Sequence, residues 1–296
     1  MNRLPITKTP KVYVGGAFLR SESGRTFAIK DAGGRFFANV PQCTRKDLRN
    51  AVEAAAKAGP GWAKRTAYNR GQILYRLGEM LEARKADMTD ALLLGGATKA
   101  TAAKEIAAAV DRLIYYAGWA DKYEQVLGSV NPVAAPYFNF TVTEPMGIVG
   151  VIAPEEAPLL GLVSLVAPII TGGNTVVALA SSPQPYPAIV LGEMLATSDL
   201  PGGVVNLLTG SRQELLPTFA THTHLRALSA VATAEERRAL ALGAAESVKR
   251  VHFVKADPAT SRGAGERTDW FSEKAQSLYA IRDFLEFKTI WHPIGA

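Results

Sequence analysis

The sequence predicts an α/β protein in which parallel strands are covered by helices, and three observations carry that prediction. Between Glu144 and Gly210 three short β-branched runs alternate with two longer apolar helical patterns, a βαβαβ signature. Ile148–Ile152 and Thr175–Leu179 are apolar almost throughout, as strands buried on both faces must be. Pro158 near the start of the first helical pattern and Gly172-Gly173 at its end follow the usual start and stop asymmetry of helices.

Composition sets the bounds. A chain of 296 residues can bury a substantial core, in one large or two smaller domains. Hydrophobic residues at 48% and charged residues at 20% describe a soluble globular protein. No apolar run reaches the ~20 residues of a membrane span, and Met1–Thr9 lacks the apolar core of a signal peptide. A single cysteine excludes an intrachain disulfide and fits a reducing, cytoplasmic setting. The four histidines and the cysteine are scattered, without metal-ligand spacing. The net charge of +6 is spread over amphipathic helices with no basic block among aromatics, so neither nucleic acid nor membrane is an expected partner.

Taken in order, Lys11–Arg20 reads as two short strands around Gly15-Gly16, and Phe27–Val40 as two more around Gly33-Gly34. Thr44 to Asp47 has the form of a helix N-cap box. The alanine-rich helix Leu48–Ala58 is expected to stop at Gly59-Pro60-Gly61. Arg65–Ala86 is amphipathic, with Ile73, Leu74, Leu77, Met80 and Leu81 on one stripe. Helices follow over Lys85–Leu94 and Thr101–Tyr123. Asn131-Pro132 and Pro136 break the pattern. Tyr137–Thr143 then alternates, with Phe138, Phe140 and Val142 on one face and Tyr137, Asn139, Thr141 and Thr143 on the other. That is a half-buried strand of a two-stranded ribbon, which is marginal alone and requires a surface to lie on. Past the central block come Leu215–His224, a strand at Leu225–Val231, a helix at Ala234–Ser247 and a strand at Val251–Val254. Asp257–Asp269 has linker composition, Lys274–Arg282 reads as a short helix, and Phe284–Trp291 is strongly β.

Three phrases carry a resemblance: Glu-Pro-Met-Gly-Ile-Val-Gly-Val-Ile-Ala-Pro at 144–154, Ala167-Pro168 with Gly-Gly-Asn-Thr-Val-Val at 172–177, and Leu-Pro-Gly-Gly-Val-Val-Asn-Leu-Leu-Thr-Gly at 200–210. In order and spacing the chain resembles the coenzyme domain of the aldehyde dehydrogenase superfamily. It is most similar to the non-catalytic C-terminal module of the family 16 enzymes. The resemblance implies a Rossmann-like parallel sheet with helices on both faces, plus an oligomerisation flap made of a β-ribbon and a terminal strand. It divides the chain into strands and a helical layer at 1–127, the flap hairpin at 128–146, the Rossmann-like core at 147–258, a linker at 259–274 and the C-terminal flap strand at 275–296.

Measured against that family, much is missing. The catalytic domain and its nucleophilic cysteine would follow the coenzyme domain, whereas here Val254 leads through a short linker to the terminal strand. The only thiol, Cys43, precedes a predicted helix cap. Helix N-termini can lower a thiol pKa, but a bystander beside a cap is the expected reading. Glu156 stands where the family has its oxyanion-hole Asn, in the turn Ala153-Pro154-Glu155-Glu156. Leu179 and Ser182 replace the Lys and Glu that hold the adenosine ribose, and leucine can neither donate nor accept a hydrogen bond. Ala232 and Arg237 replace the glycines of the pyrophosphate turn, with Thr233, Glu235 and Glu236 between them, where carboxylates would repel phosphate. Val254 replaces the general base.

The resemblance therefore implies a pseudoenzyme. No residue is assigned as catalytic, cofactor-binding or metal-ligating, no cofactor is expected, and NAD binding is weak at most. The expected role is a non-catalytic subunit, a separate chain opening at Met1, that docks onto a full-length NAD(P)-dependent aldehyde dehydrogenase. Its flap, through 128–146 and 284–291, would pair with the partner by strand addition. Two other readings remain: aldehyde oxidation with NAD only as part of a complex, or a regulatory module holding another small molecule in the old coenzyme cleft. Glu155, Glu156 and Thr233 would line that cleft; the plainer view of Glu155-Glu156 is a solvated turn.

Overall fold

A computed structural model describes residues 8–254 and 268–295. Its central sheet has seven strands in the order β11-β10-β7-β8-β9-β1-β2. Five of them are mutually parallel: β7 (Ile148–Ile152), β8 (Thr175–Leu179), β9 (Val205–Leu208), β10 (Leu225–Val231) and β11 (Arg250–Val254). β1 (Val12–Val14) and β2 (Ala17–Leu19) extend the sheet antiparallel at the β9 edge. A separate hairpin joins β3 (Thr26–Lys30) to β4 (Phe36–Pro41).

Alternation along the parallel strands feeds two cores. Val149, Val151, Val176 and Ala178 face one layer, built of α2 (Ala67–Ala83), α3 (Lys85–Leu94), α4 (Lys99–Trp119), α6 (Leu160–Thr171) and α7 (Tyr186–Leu195). Ile148, Ile152, Val177 and Leu179 face the other, built of α1 (Arg45–Ala63), α8 (Arg212–Thr221) and α9 (Ala234–Ala245). Helices on both faces are what the apolar strand runs demand. All twelve residues of α6 are buried, since α4 covers the side that the sheet does not. The capping box at the start of α1 forms as predicted: Thr44 N donates to Asp47 Oδ2 at 2.7 Å, and Thr44 Oγ1 accepts from Asp47 N at 3.5 Å.

Several elements depart from expectation. Helix α1 does not stop at Gly59-Pro60-Gly61 but runs through it to Ala63. Pro60 forfeits one helical hydrogen bond, yet the extra turn buries Trp62, whose indole Nε1 donates to Ile170 O at 2.9 Å. The helix predicted over Thr101–Tyr123 ends at Trp119, and α5 (Tyr123–Leu127) follows as a separate turn. The expected ribbon and terminal strand form one three-stranded sheet. β6 (Tyr137–Pro145) pairs on one side with β5 (Ser129–Asn131) and on the other with the terminal β12 (Leu285–Pro293). Its buried residue is Asn139, on the polar face, while Phe138 and Val142 on the apolar face are exposed. The linker expected at 259–274 lies outside the described residues as far as 267. From 268 it behaves otherwise, because Trp270 is buried against the helical layer. A 3-10 turn (Glu273–Ala275) and α10 (Leu278–Arg282) then lead into β12.

Trp62→Ala should lower the free energy of unfolding by about 3–5 kcal/mol, read from urea denaturation. A helix ending at Ala58 would leave that tryptophan on the surface and make the change almost neutral.

Candidate functional site: the crevice at the carboxyl edge of the sheet

β7, β8 and β9 wind outward in one direction, and β10 and β11 in the other. The connection reverses between β7 and β10, and in open α/β sheets ligands bind in the crevice outside the strand ends at such a switch point. Four segments reach it: 153–158 after β7, 180–182 after β8, 209–212 after β9 and 232–237 after β10.

The chain's own arginines occupy the strand ends. Arg212, the first residue of α8, donates through Nη2 to Ala153 O at 2.6 Å and to Val231 O at 2.8 Å. It therefore bridges the ends of the two strands that flank the switch point. Its Nη1 reaches Glu236 Oε2 at 3.2 Å, and only 12% of its side chain is exposed. Arg237 takes the next pair of carbonyls, donating Nε to Ala232 O at 2.9 Å and Nη2 to Val254 O at 2.8 Å. Its guanidinium lies 5.5 Å from the centroid of the Phe253 ring. Glu236 is not free to repel a phosphate as the sequence suggested. It accepts from Thr233 N at 2.8 Å while Thr233 Oγ1 accepts from Glu236 N at 3.2 Å, a complete capping box for α9.

The other positions singled out in the sequence are likewise engaged in structure. Ser182 Oγ donates to Gly210 O at 3.1 Å, and Leu179 is fully buried among α1, α8 and α9. Thr233 serves as the α9 cap, and Val254 gives its carbonyl to Arg237. Glu155 and Glu156 are half-buried rather than fully solvated. Glu155 O accepts from Ser181 Oγ at 3.2 Å, while Glu156 Oε1 is buried with no hydrogen-bond partner among the described residues. The turn is tight: Ala157 has φ +48°, and Gly161 lies against the Pro154 ring with no room for a Cβ. Cys43 sits at the end of β9, its N–H bonded to Thr209 O at 2.9 Å and its thiol completely buried. Burial pushes that thiol up to about 12, so it stays protonated. Among the described residues no three His, Cys, Asp or Glu side chains come together as metal ligands, and no helix is long and apolar enough to cross a membrane.

Arg212 is the residue that sequence reasoning missed. The available signal was a cation in the first turn of a helix, where the helix dipole disfavours it, directly after Gly210-Ser211.

Strand order, two helical layers and a switch-point crevice define a doubly wound coenzyme-type α/β domain. The profile of the aldehyde dehydrogenase family matches residues 18–254, and the chain belongs to that family. Mouse retinal dehydrogenase 2 is 32% identical over 251 residues, which are 82% of this chain and 48% of that protein. Omega-crystallin of Enteroctopus dofleini is 29% identical over 79% of this chain and 48% of its own length. Among solved structures, the NAD+ complex of an aldehyde dehydrogenase from Bacillus cereus superposes with a TM-score of 0.79 at 25% identity, covering 83% of this chain and 50% of that one. An aldehyde dehydrogenase from Brucella melitensis biovar abortus 2308 gives a TM-score of 0.79 at 24% identity over 83% of this chain and 51% of its own. The chain spans about half the length of the relatives it matches.

Two outcomes follow from this site. Arg212→Ala should cost about 1.5–3 kcal/mol of folding stability by chemical denaturation, the usual worth of hydrogen bonds to a charged group. Cys43 should resist alkylation at pH 8 until the protein unfolds. Because folding raises its pKa from 9.0 to about 12, the associated stabilisation is fully present below pH 9 and is lost as pH rises toward 12. Tyr116 and Tyr123, also raised to about 12, add a similar decline. The thiol's share is the part that Cys43→Ala removes from the pH dependence of unfolding.

Proposed function

We propose that this chain is a non-catalytic aldehyde dehydrogenase-like subunit that docks through its three-stranded flap onto a catalytic NAD(P)-dependent aldehyde dehydrogenase. The observation that carries the reading is the uncovered apolar face of that flap. Directly opposed residues of an antiparallel pair share a face, so the register groups Val130, Phe138, Phe140, Val142 and Ile290 together, with Lys288 and His292 beside them on β12. Val130 is 68% exposed, Phe138 43% and Val142 36%. Contiguous apolar surface of this kind is a mark of interaction sites. Beside it β12 presents nine residues of strand whose outer edge pairs with nothing among the described residues, an invitation to strand addition.

The flap is held ready for such a contact. Asn174 Nδ2 donates to Phe284 O at 2.9 Å, and Arg250 Nη1 donates to both Asp283 O and Leu285 O at 3.0 Å, fixing the root of β12 to the central sheet. A partner of the same family supplies a sheet of matching kind, whereas β11 of this chain is joined to β12 by residues 255–284 alone. That architecture suits a module resembling the catalytically empty half of the family 16 enzymes. The Arg212 and Arg237 braces support the absence of coenzyme chemistry, since a dinucleotide entering the crevice would compete with bonds the fold already makes.

Co-expression with full-length aldehyde dehydrogenases of its own cell should yield a hetero-oligomer by light scattering. The double change Phe138→Asp with Val142→Asp should abolish it, leaving the melting temperature of the isolated chain within about 3 °C because both sites are surface positions. NAD titrated into the isolated chain should give no saturable heat up to about 1 mM, a binding energy under about 4 kcal/mol. Micromolar NAD binding or aldehyde turnover by the chain alone would falsify the non-catalytic reading.

A further inference from the structure

The face of the flap opposite Val130 and Phe138 changes character when its last strand is added. In β6 alone that face is polar through Asn139, Thr141 and Thr143. The register sets Phe287 of β12 opposite Thr143, Trp291 opposite Asn139 and Pro293 opposite Tyr137, and directly opposed residues share a face. Tyr137 is 39% exposed, Phe287 47% and Trp291 57%. The rings of Tyr137 and Trp291 stand edge to face with centroids 5.7 Å apart. Three aromatic side chains are thus left in water on one side of the sheet, and exposed apolar surface of this kind marks an interaction site.

No charge interrupts this face. β5 contributes positions 129 and 131 to it, β6 the odd positions from 137 to 145, and β12 the odd positions from 285 to 293. None of these positions holds an acid, a lysine, an arginine or a histidine. Glu144, Glu286, Lys288 and His292 all fall on the other face. The polar groups in the middle bond to one another. Ser129 Oγ donates to Asn131 Oδ1 at 2.9 Å, and Asn131 Nδ2 donates to Asn139 Oδ1 at 2.7 Å and to Thr141 Oγ1 at 3.0 Å. The hydroxyls of Thr141 and Thr289 share a hydrogen bond at 3.1 Å. A neutral face whose hydrogen bonds are already made can be covered with little desolvation penalty.

The relief of the face selects its occupant. Phe287 forms one aromatic ridge and Tyr137 with Trp291 another, and the low row of Thr141 and Thr289 lies between them. The same face turned about a two-fold axis sets a ridge over a threonine row. It also meets no like charge, although the chain carries a net +6. Sheets pack in this manner about 10 Å apart, with interdigitated side chains. We propose that two copies of this chain dimerise face to face through this surface, the Trp291 ring of each copy seated on the threonine row of the other. The contact leaves the Val130 and Phe138 face and the outer edge of β12 uncovered. It therefore stands apart from docking onto a catalytic enzyme and is compatible with it.

The test is sedimentation equilibrium of the isolated full chain. It should dimerise with a dissociation constant below about 10 μM. Raising NaCl from about 50 to about 500 mM should weaken the dimer by less than about threefold, because no ion pair is screened. Trp291→Glu and Thr289→Lys should each weaken it at least about thirtyfold, the first by removing a buried aromatic anchor and the second by burying an unpaired charge. Thr289 is exposed, so its replacement leaves the fold intact and decides the matter if the tryptophan variant does not fold. Phe138→Asp with Val142→Asp should abolish capture of a catalytic enzyme and leave the dimer unchanged, and Trp291→Glu should do the reverse, so the two contacts fail separately. A monomer at about 100 μM, a dimer that salt dissociates, or a dimer indifferent to Thr289→Lys would overturn the proposal.

Discussion

Everything in this fold is arranged around a helix that has no solvent face. α6 buries all twelve of its residues, so its end groups cannot turn to water, and each must find a partner inside the protein. Glu105 of α4 receives the N–H groups of Leu159 and Leu160 at 2.9 and 3.1 Å. Burial raises the pKa of that carboxyl, and these two bonds pull it back toward ionisation. At the other end three carbonyls are met by side chains: Ile169 O by Asn174 Nδ2 at 3.2 Å, Ile170 O by Trp62 Nε1 at 2.9 Å, and Thr171 O by Arg70 Nε at 3.1 Å. One buried helix thereby dictates residues on α1, α2, α4 and the turn before β8. It also explains why α1 continues past a proline. Stopping at Ala58 would remove the side-chain donor to Ile170 O, leaving that carbonyl the Gly173 N–H at 3.0 Å.

The same logic accounts for the carboxyl edge. In a parallel sheet the carbonyls at the strand ends point into a crevice, and something must hydrogen-bond to them. A crevice open to a ligand leaves that role to water and ligand in turn. Here Arg212 and Arg237 perform it permanently, joining β7 to β10 and the loop after β10 to β11. The groups that sequence comparison would read as losses are gains when viewed as structure. Arg237 can reach Ala232 O and Val254 O only because it is long, and Glu236 both caps α9 and holds Arg212 in place.

How far the sequence was legible depended on whether local and tertiary demands agreed. β7, β8 and α6 were readable because burial on every side writes an unbroken apolar run. α3 and β10 are legible to the residue, α3 with Gly95-Gly96 as its stop. The extent of α1 was not readable, because Gly59-Pro60-Gly61 is a local stop signal overridden by the distant Ile170 carbonyl. The buried face of the ribbon is not legible for a related reason. Alternation identifies two faces but does not say which one the isolated chain covers, and here the polar face holds the buried Asn139, bonded to Asn131 Nδ2 at 2.7 Å. In the candidate site, the positions of Glu156, Leu179 and Ser182 were found by phrase matching, while Arg212 escaped because the bonds it makes join strands that are far apart in the chain.

The exposed flap face and the braced crevice are two sides of one constraint. A chain retaining this domain must still satisfy the end groups of α6 and the ends of the parallel strands, and residues 268–285 do part of that work. Phe284 O meets Asn174, and Trp270 O and Ala275 O meet Arg112, so the segment leading to β12 is bonded to the core. The ends of α6 and of the parallel strands are thus met by the chain's own side chains, while the strands that project from the core leave Val130, Phe138 and Val142 exposed. A second surface laid on the flap would take these side chains out of water, which is the contact proposed for it.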